Sequence, residues 1–393
     1  MPGPLQGVKV IDLSAVVSGP MATGILADQG AEVIKIEARQ GDLTRVIGPA
    51  VGDRSSMYIA INRGKRAMVL DLKHPDGAQV LRELLAGADV LVENFRPGAL
   101  ARLGFSYESV SALNPRLVYL SISGFGQSGP FAGYRVYDPV IQAVSGFADS
   151  HPDPVSNDPR LLKTLMCDKI TALTAAQALC AALVARQQTG RGQRIELSML
   201  DAAIAFGWPE AFYNHALLDA STDPVPEYGA TQTLWPCKDG WVAIVTPQND
   251  EFAGLCRTLG VPELTQDPRF ASVVLRRRYP FEIRALLEPL VAQWTVDDLV
   301  AQLGAAGVPV GRANRKHELP DDPQVRHNAV LTETAYEGIG RVRAPRAAAV
   351  FSDGALQPSP VAARLGEHTR DVLRELGRSD AQIDALFASG AAG

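Results

Sequence analysis

Short apolar runs alternate with helix-forming stretches along the first half of the chain, and that alternation limits the fold more than any other feature. Residues 8–13 (VKVIDL), 32–37 (EVIKIE), 67–72, 89–93 (DVLVE) and 117–123 (LVYLSIS) read as strands. A turn over 14–20 leads into a helix opened by Pro20 and Met21 and ended by Gln29-Gly30, and an amphipathic helix covers 75–86. Parallel strands need such helical crossovers, and strands covered on both faces are apolar throughout. The expectation is an α/β fold with a doubly wound parallel sheet and ligands at the carboxyl ends of its strands. From about residue 226 the texture changes. Residues 231–236 and 241–246 flank Lys238-Asp239-Gly240 as a hairpin, helical patterns cover 250–259, 281–293 and 295–306, and a strand follows at 308–311. The predicted organisation is a large domain over 1–225 and 319–393 and a small α+β domain over 226–318. Residues 364–376 read as a closing helix, Arg276, Arg277 and Arg278 as a solvated face, and residues 388–393 as a frayed end.

A chain of 393 residues has room for both domains, and a net charge of −5 gives no electrostatic case for a nucleic-acid partner. Residues 1–7 lack a basic start, and the longest apolar stretch is broken by Thr171, Thr174 and Gln177, which reads as too short for a bilayer. The expectation is a cytoplasmic protein with no membrane partner. Cys167, Cys180, Cys237 and Cys256 are scattered and read as free thiols, and the six histidines show no metal spacing, so no metal site is expected. The strand, turn, helix and terminal acid Glu37 resemble a dinucleotide-binding start. The turn offers only Gly19 and Gly24, however, and G-x-G-x-x-G is not met.

The chemistry concentrates in residues 161–201. Asp168 heads an Ala- and Leu-rich segment lasting to about Arg186, in which Ile170, Leu173, Cys180, Leu183 and Val184 fall near helical spacing. So small-sided a helix can pack closely on every face and is expected to be buried. Gly190 supplies its left-handed end, and residues 193–199 return as a strand. A carboxylate in the first turn faces unpaired N–H groups and the positive end of the dipole, which favours the ionised form a nucleophile needs. Position alone favours a helix cap, because capping Asp is common, and something beyond spacing must overturn that. Cys167 beside it has no histidine positioned to activate it.

Asp168, its helix and TGRGQRIELSMLDA (189–202) resemble the class III CoA-transferase family, the group of formyl-CoA and carnitine CoA-transferases. NRGKR (62–66), LDLKHPDG (70–77), VENFRPG (92–98), GFGQSGP (124–130) and Leu365-Gly366-Glu367-His368-Thr369 are similar to blocks that the family carries in this order. The resemblance implies transfer of CoA from an acyl-CoA to a free carboxylate, with Asp168 attacking the thioester. It implies no tightly bound cofactor, CoA and acyl-CoA being substrates, and an interlocked homodimer. Residue by residue it implies CoA contacts from Lys73, Asn94, Phe95, Arg102, Arg135 and Tyr137, with Arg39 a further candidate. CoA carries phosphates that want Arg and Lys and an adenine that wants a flat apolar wall. Arg135 stands where the formyl-CoA enzymes have lysine, Ala38 stands where they have arginine, and their glycine run covering the aspartate has no counterpart here. The backbone N–H groups of the helix start and of residues 124–129 are candidates for holding an oxyanion. The rival within this fold, 2-methylacyl-CoA racemase, has a histidine–aspartate pair where this chain reads Tyr137-Asp138. Tyrosine, with an ordinary pKa of about 10, is a poor base at neutral pH. A non-catalytic CoA-binding protein is the other alternative.

Overall fold

The computed structural model describes residues 3–153, 155–219, 225–228, 233–352 and 361–393. By contacts the chain divides into two units, one of 1–206 with 328–393 and one of 207–327. The sequence reading drew these boundaries at 226 and 318.

The larger unit is built on a six-stranded sheet. Its members are β1 (Lys9–Asp12), β2 (Glu32–Glu37), β3 (Arg66–Val69), β4 (Val90–Glu93), β5 (Val118–Ser123) and β6 (Arg194–Ser198). They lie in the order β3-β2-β1-β4-β5-β6 and every pair is parallel. Alternate residues feed two separate cores. Val10, Val33, Val90, Val92, Val118 and Leu120 face a layer with Ala22, Leu26, Ile170 and Leu179 from the helices Ser18–Asp28 and Met166–Thr189. Ile11, Ile34, Ile36, Leu91 and Tyr119 face the other layer, where Leu81, Leu85, Val372 and Ile383 come from the helices Pro75–Ala86, Thr369–Glu375 and Asp380–Ser389. Both faces being covered explains the unbroken burial of β4 and β5. The strand order reverses between β1 and β4. At such a switch point the loops after the two strands splay apart and leave a crevice at their carboxyl ends.

Four expectations need correction. The Asp168 helix runs for 24 residues, long and apolar enough by composition to span a membrane, though 56% of its most apolar window is buried inside the protein. It is not buried on every face: Leu173 and Val184 are 57% and 64% exposed. A helix that is apolar all round carries no stripe to say which side meets the core. The chain end is held rather than frayed. Gly393 O accepts from the Thr369 hydroxyl at 2.6 Å, Ala391 O from the Asp71 N–H at 2.9 Å, and Ala391 and Ala392 are buried. Arg276 leaves solvent, stacking over Phe252 at 4.8 Å and donating to Asn249 Oδ1 and Phe270 O, whereas Arg277 and Arg278 stay exposed.

The smaller unit holds a three-stranded antiparallel sheet with Trp241–Ile244 between Trp235–Pro236 and Val310–Arg312. The helices Asn249–Thr258, Pro280–Val291 and Val296–Ala305 pack Phe252, Leu255, Leu287 and Leu299 with Val242 and Ile244 of that sheet. Residues 231 and 232 of the expected hairpin lie outside the described residues.

Candidate active site

Asp168 stands in the first turn of its helix and is 6% exposed. The helix start has no cap from its own residues; Leu165 is the capping position and makes no side-chain bond. The cap comes from Asp138 instead, whose Oδ2 accepts the Asp168 N–H at 2.8 Å. Asp138 is itself buried and is held by Gln142, which also donates to Thr164 O at 2.9 Å and accepts the Leu162 N–H at 2.8 Å. A carboxylate brought from thirty residues upstream therefore does the capping, and the Asp168 carboxylate is left for other work.

That carboxylate is not poised as the dipole argument expects. Burial, and then the charge of Asp138, push its pKa up from 3.8 to about 6, against hydrogen bonds from the Ser18 hydroxyl and N–H and the charge of Lys169. Loss of water outweighs the helix terminus. Asp168 is nonetheless mostly ionised at neutral pH, and a partly desolvated carboxylate is a better nucleophile than a solvated one. The neighbouring thiol is ruled out as a rival: Cys167 is fully buried and burial pushes its pKa up to about 12.

Asp168 opens into a cavity of about 290 Å³ at the switch point, lined also by Ser18, Asn94, Phe95, Arg135 and Tyr137. Phe95 and Ala15 also line a neighbouring cavity of about 280 Å³, at the carboxyl ends of β1, β2 and β3, which includes Lys73, Leu72 and Ile36. Five of the eight residues expected at the site thus share one cavity, and Lys73 joins through Phe95. The other two do not line either cavity. Arg39 donates to Ala392 O at 3.0 Å, and Arg102 lies exposed on the short helix Ala99–Arg102.

The loops are fixed by side chains. Asn94 accepts the Ala15 N–H at 2.8 Å and donates to Ala15 O at 2.7 Å, so its amide is already engaged in joining the loops after β1 and β4. Glu93 accepts the Phe95 N–H at 2.8 Å and is bonded to Ser121, which accepts from Gln127 at 2.9 Å. This ties the 94–98 loop to the 124–130 loop. Gly124 has no room for a side chain, since a Cβ there would lie 2.1 Å from Val136 Cγ1. Two N–H groups expected to hold an oxyanion are committed elsewhere: that of Asp168 to Asp138, and that of Gly126 to Ser123 Oγ at 3.1 Å. Glu37, the acid of the dinucleotide reading, is buried in a 2.6 Å ion pair with Arg45 and is not offered to a ribose. Sequence reasoning missed Ser18 and the capping role of Asp138. A serine opening a helix and an Asp-Pro step are too common to single out.

A parallel sheet in this order with a buried carboxylate facing a cavity at its switch point is an α/β architecture of the kind that binds ligands at its strand ends. The chain belongs to CoA-transferase family III, whose sequence profile matches residues 5–369. It is 34% identical over 386 residues to the succinate–glutarate CoA-transferase of Agrobacterium fabrum, covering 95% of this chain and 96% of that one. It is 37% identical over 341 residues to the acetyl-CoA:oxalate CoA-transferase of Acetobacter aceti, covering 84% and 86%. Among solved structures, a CAIB/BAIF family protein from Brucella suis superposes with a TM-score of 0.81 at 33% identity, covering 96% of this chain and all of that one. The chain is a CoA-transferase.

Proposed function

We propose that this enzyme transfers CoA between small carboxylic acids through a covalent intermediate on Asp168. The observation that carries the reading is a buried carboxylate facing the switch-point cavity while another residue, Asp138, caps its helix. Asp168 attacks the acyl-CoA carbonyl, giving a mixed anhydride and CoA thiolate. The thiolate attacks the aspartyl carbonyl, releasing the first acid and leaving an aspartyl-CoA thioester. The acceptor carboxylate attacks that thioester, a new anhydride forms, and the thiolate takes the acceptor's acyl group, regenerating Asp168. Contact with an activated thioester offsets the weakness of a carboxylate nucleophile by removing most of the entropic barrier.

The nucleotide end of CoA lies, in this reading, in the cavity of Lys73 and Phe95, with the thioester in the cavity of Asp168, Arg135 and Tyr137. The names of the relatives point to dicarboxylic acids as donor or acceptor acids. Tyr137 in place of histidine speaks against proton transfer at an α-carbon. The exposed apolar residues Leu173, Val184, Val140 and Val144 support a homodimer as the working form. Acyl-CoA donors offered with small dicarboxylates and read by mass spectrometry test the reaction, and absence of any new CoA ester would remove it. Lys73→Glu should weaken CoA binding by about 1–3 kcal/mol, the worth of a charge-assisted hydrogen bond. Unchanged affinity by calorimetry would take Lys73 out of the site.

A further inference from the structure

Between β1 and the helix Ser18–Asp28 the chain crosses the switch point in a loop held largely by side chains. The Ser14 N–H donates to Asp12 Oδ1 at 2.9 Å, and Ser14 O accepts from Lys35 Nζ at 2.8 Å. Ala15 is bonded at both its N–H and its carbonyl by Asn94. The Val16 N–H points between the two oxygens of Asp42, 3.2 Å from each.

Val16 has φ of 69°, in the left-handed region. For a β-branched residue this is an outlier that persists only where the surroundings impose it. The surroundings here are Asp42 and Lys35, an ion pair of 3.0 Å with both side chains buried. Asp42 is oriented in turn by the Thr44 N–H at 2.9 Å and the Thr44 hydroxyl at 2.8 Å. Two residues beyond Val16 stands Ser18, 3% exposed, which lines the same cavity as Asp168 and helps hold that carboxyl ionised. Gly19 next to it admits no side chain, since a Cβ would lie 2.3 Å from that of Ser14. The path from ion pair to nucleophile is thus a short loop, pinned by side chains, with one strained residue in it.

We propose that Asp42, backed by Lys35, is a positioning residue for Asp168: it clamps the Val16 N–H, enforces the left-handed turn there, and so presents Ser18 to the nucleophile. The inference rests on Asp168 being that nucleophile. A valine released from the clamp leaves the left-handed conformation, which is disfavoured by about five- to thirtyfold without support. The loop then withdraws Ser18. Asp138 and burial, which disfavour the Asp168 carboxylate, are left opposed by Lys169 alone.

The test is Asp42→Ala, with and without Val16→Gly. Asp42→Ala should lower kcat by about 10- to 100-fold, the effect of a small misplacement at the reacting group, with a lesser change in KM for the acyl-CoA. Glycine adopts the left-handed turn without strain, so Val16→Gly in the Asp42→Ala background should return kcat by about five- to thirtyfold. Carbodiimide modification of Asp168, followed against pH by peptide mass spectrometry, reads the ionisation of that carboxyl without turnover. Its midpoint should rise in Asp42→Ala and fall back in the double variant. Wild-type kcat and midpoint in Asp42→Ala overturn the clamp, as does a loss that Val16→Gly leaves untouched, because Asp42 would then only support the fold. Should Asp42→Ala not fold, Asp42→Asn keeps an acceptor for Val16 and must show a smaller loss with the same rescue; no loss, or no rescue, overturns the clamp there too. If the wild-type protein moves no CoA, the carbodiimide midpoints still decide the clamp, and the two failures stay separate.

Discussion

Asp168→Asn is expected to lose CoA transfer by three orders of magnitude or more, and to make the protein more stable at neutral pH. The amide keeps the size of the side chain and cannot form an anhydride, so the loss falls on kcat, on the order of 10³ or beyond, while CoA still binds. The stability effect follows from the shifted carboxyl. Its folded pKa, about 6, lies above the ordinary 3.8 because of burial and Asp138. A raised folded pKa favours the folded state fully only below the ordinary value, and that advantage disappears as pH rises through the folded value. Relative to low pH, the ionised Asp168 therefore costs the folded state about 3 kcal/mol above pH 7. Asp168→Asn should recover up to that amount at pH 8 and little of it near pH 4, as read by denaturant unfolding. A variant that transfers CoA at the wild-type rate, or is less stable at pH 8, would mean that Asp168 is a structural residue.

Asp12→Ala should destabilise the larger unit by about 3–5 kcal/mol, the cost of leaving a buried charge without its partner. Asp12 lies at the end of β1 with no exposure, accepting from Lys65 at 2.9 Å, Thr23 at 2.6 Å and Ser14. Burial alone would raise its pKa, but Lys65, Lys35 and the two hydroxyls outweigh it and bring it down to about 2. The depressed carboxyl contributes its stability above the ordinary pKa of 3.8, and that contribution is lost as pH falls through about 2. The alanine variant should therefore differ most from wild type near neutrality and least in strong acid. A loss below about 1 kcal/mol at pH 7 would mean that water or a shifted lysine replaces the pair.

The strands and helices of the larger unit were legible because their signals are local. Residues 32–37 (EVIKIE) hold three β-branched apolar residues just after the Gln29-Gly30 turn, and 75–86 begin at a proline and keep helical spacing, so both matched their expected bounds. The sheet order was out of reach, because pairing β1 with β4 joins residues some eighty positions apart. The hairpin of Leu331–Tyr336 and Gly340–Pro345 was also missed, since LTETAY and GRVRAP carry mostly exposed positions and no apolar face. At the site, residue types were legible and their partners were not. Asp168 stood out by its place at a helix start, yet its ionisation was misjudged because Asp138 and the water-excluding walls come from other segments. Asn94 was expected on the ligand and is engaged with Ala15, an interaction between loops of two different strands. Asp42 gave no signal at all: an Asp after Gly41 reads as a turn residue, and only the fold brings it to Val16.

The most direct test of the account is to trap the intermediate. Enzyme turning over an acyl-CoA would be quenched with hydroxylamine or borohydride, digested, and its peptides weighed. The account predicts a hydroxamate or a reduced side chain at Asp168 alone, dependent on the donor, absent from Asp168→Asn, and fading as the pH falls below about 6, where the carboxylate takes up its proton. Continued CoA transfer with Asp168 unmodified at every pH would contradict it.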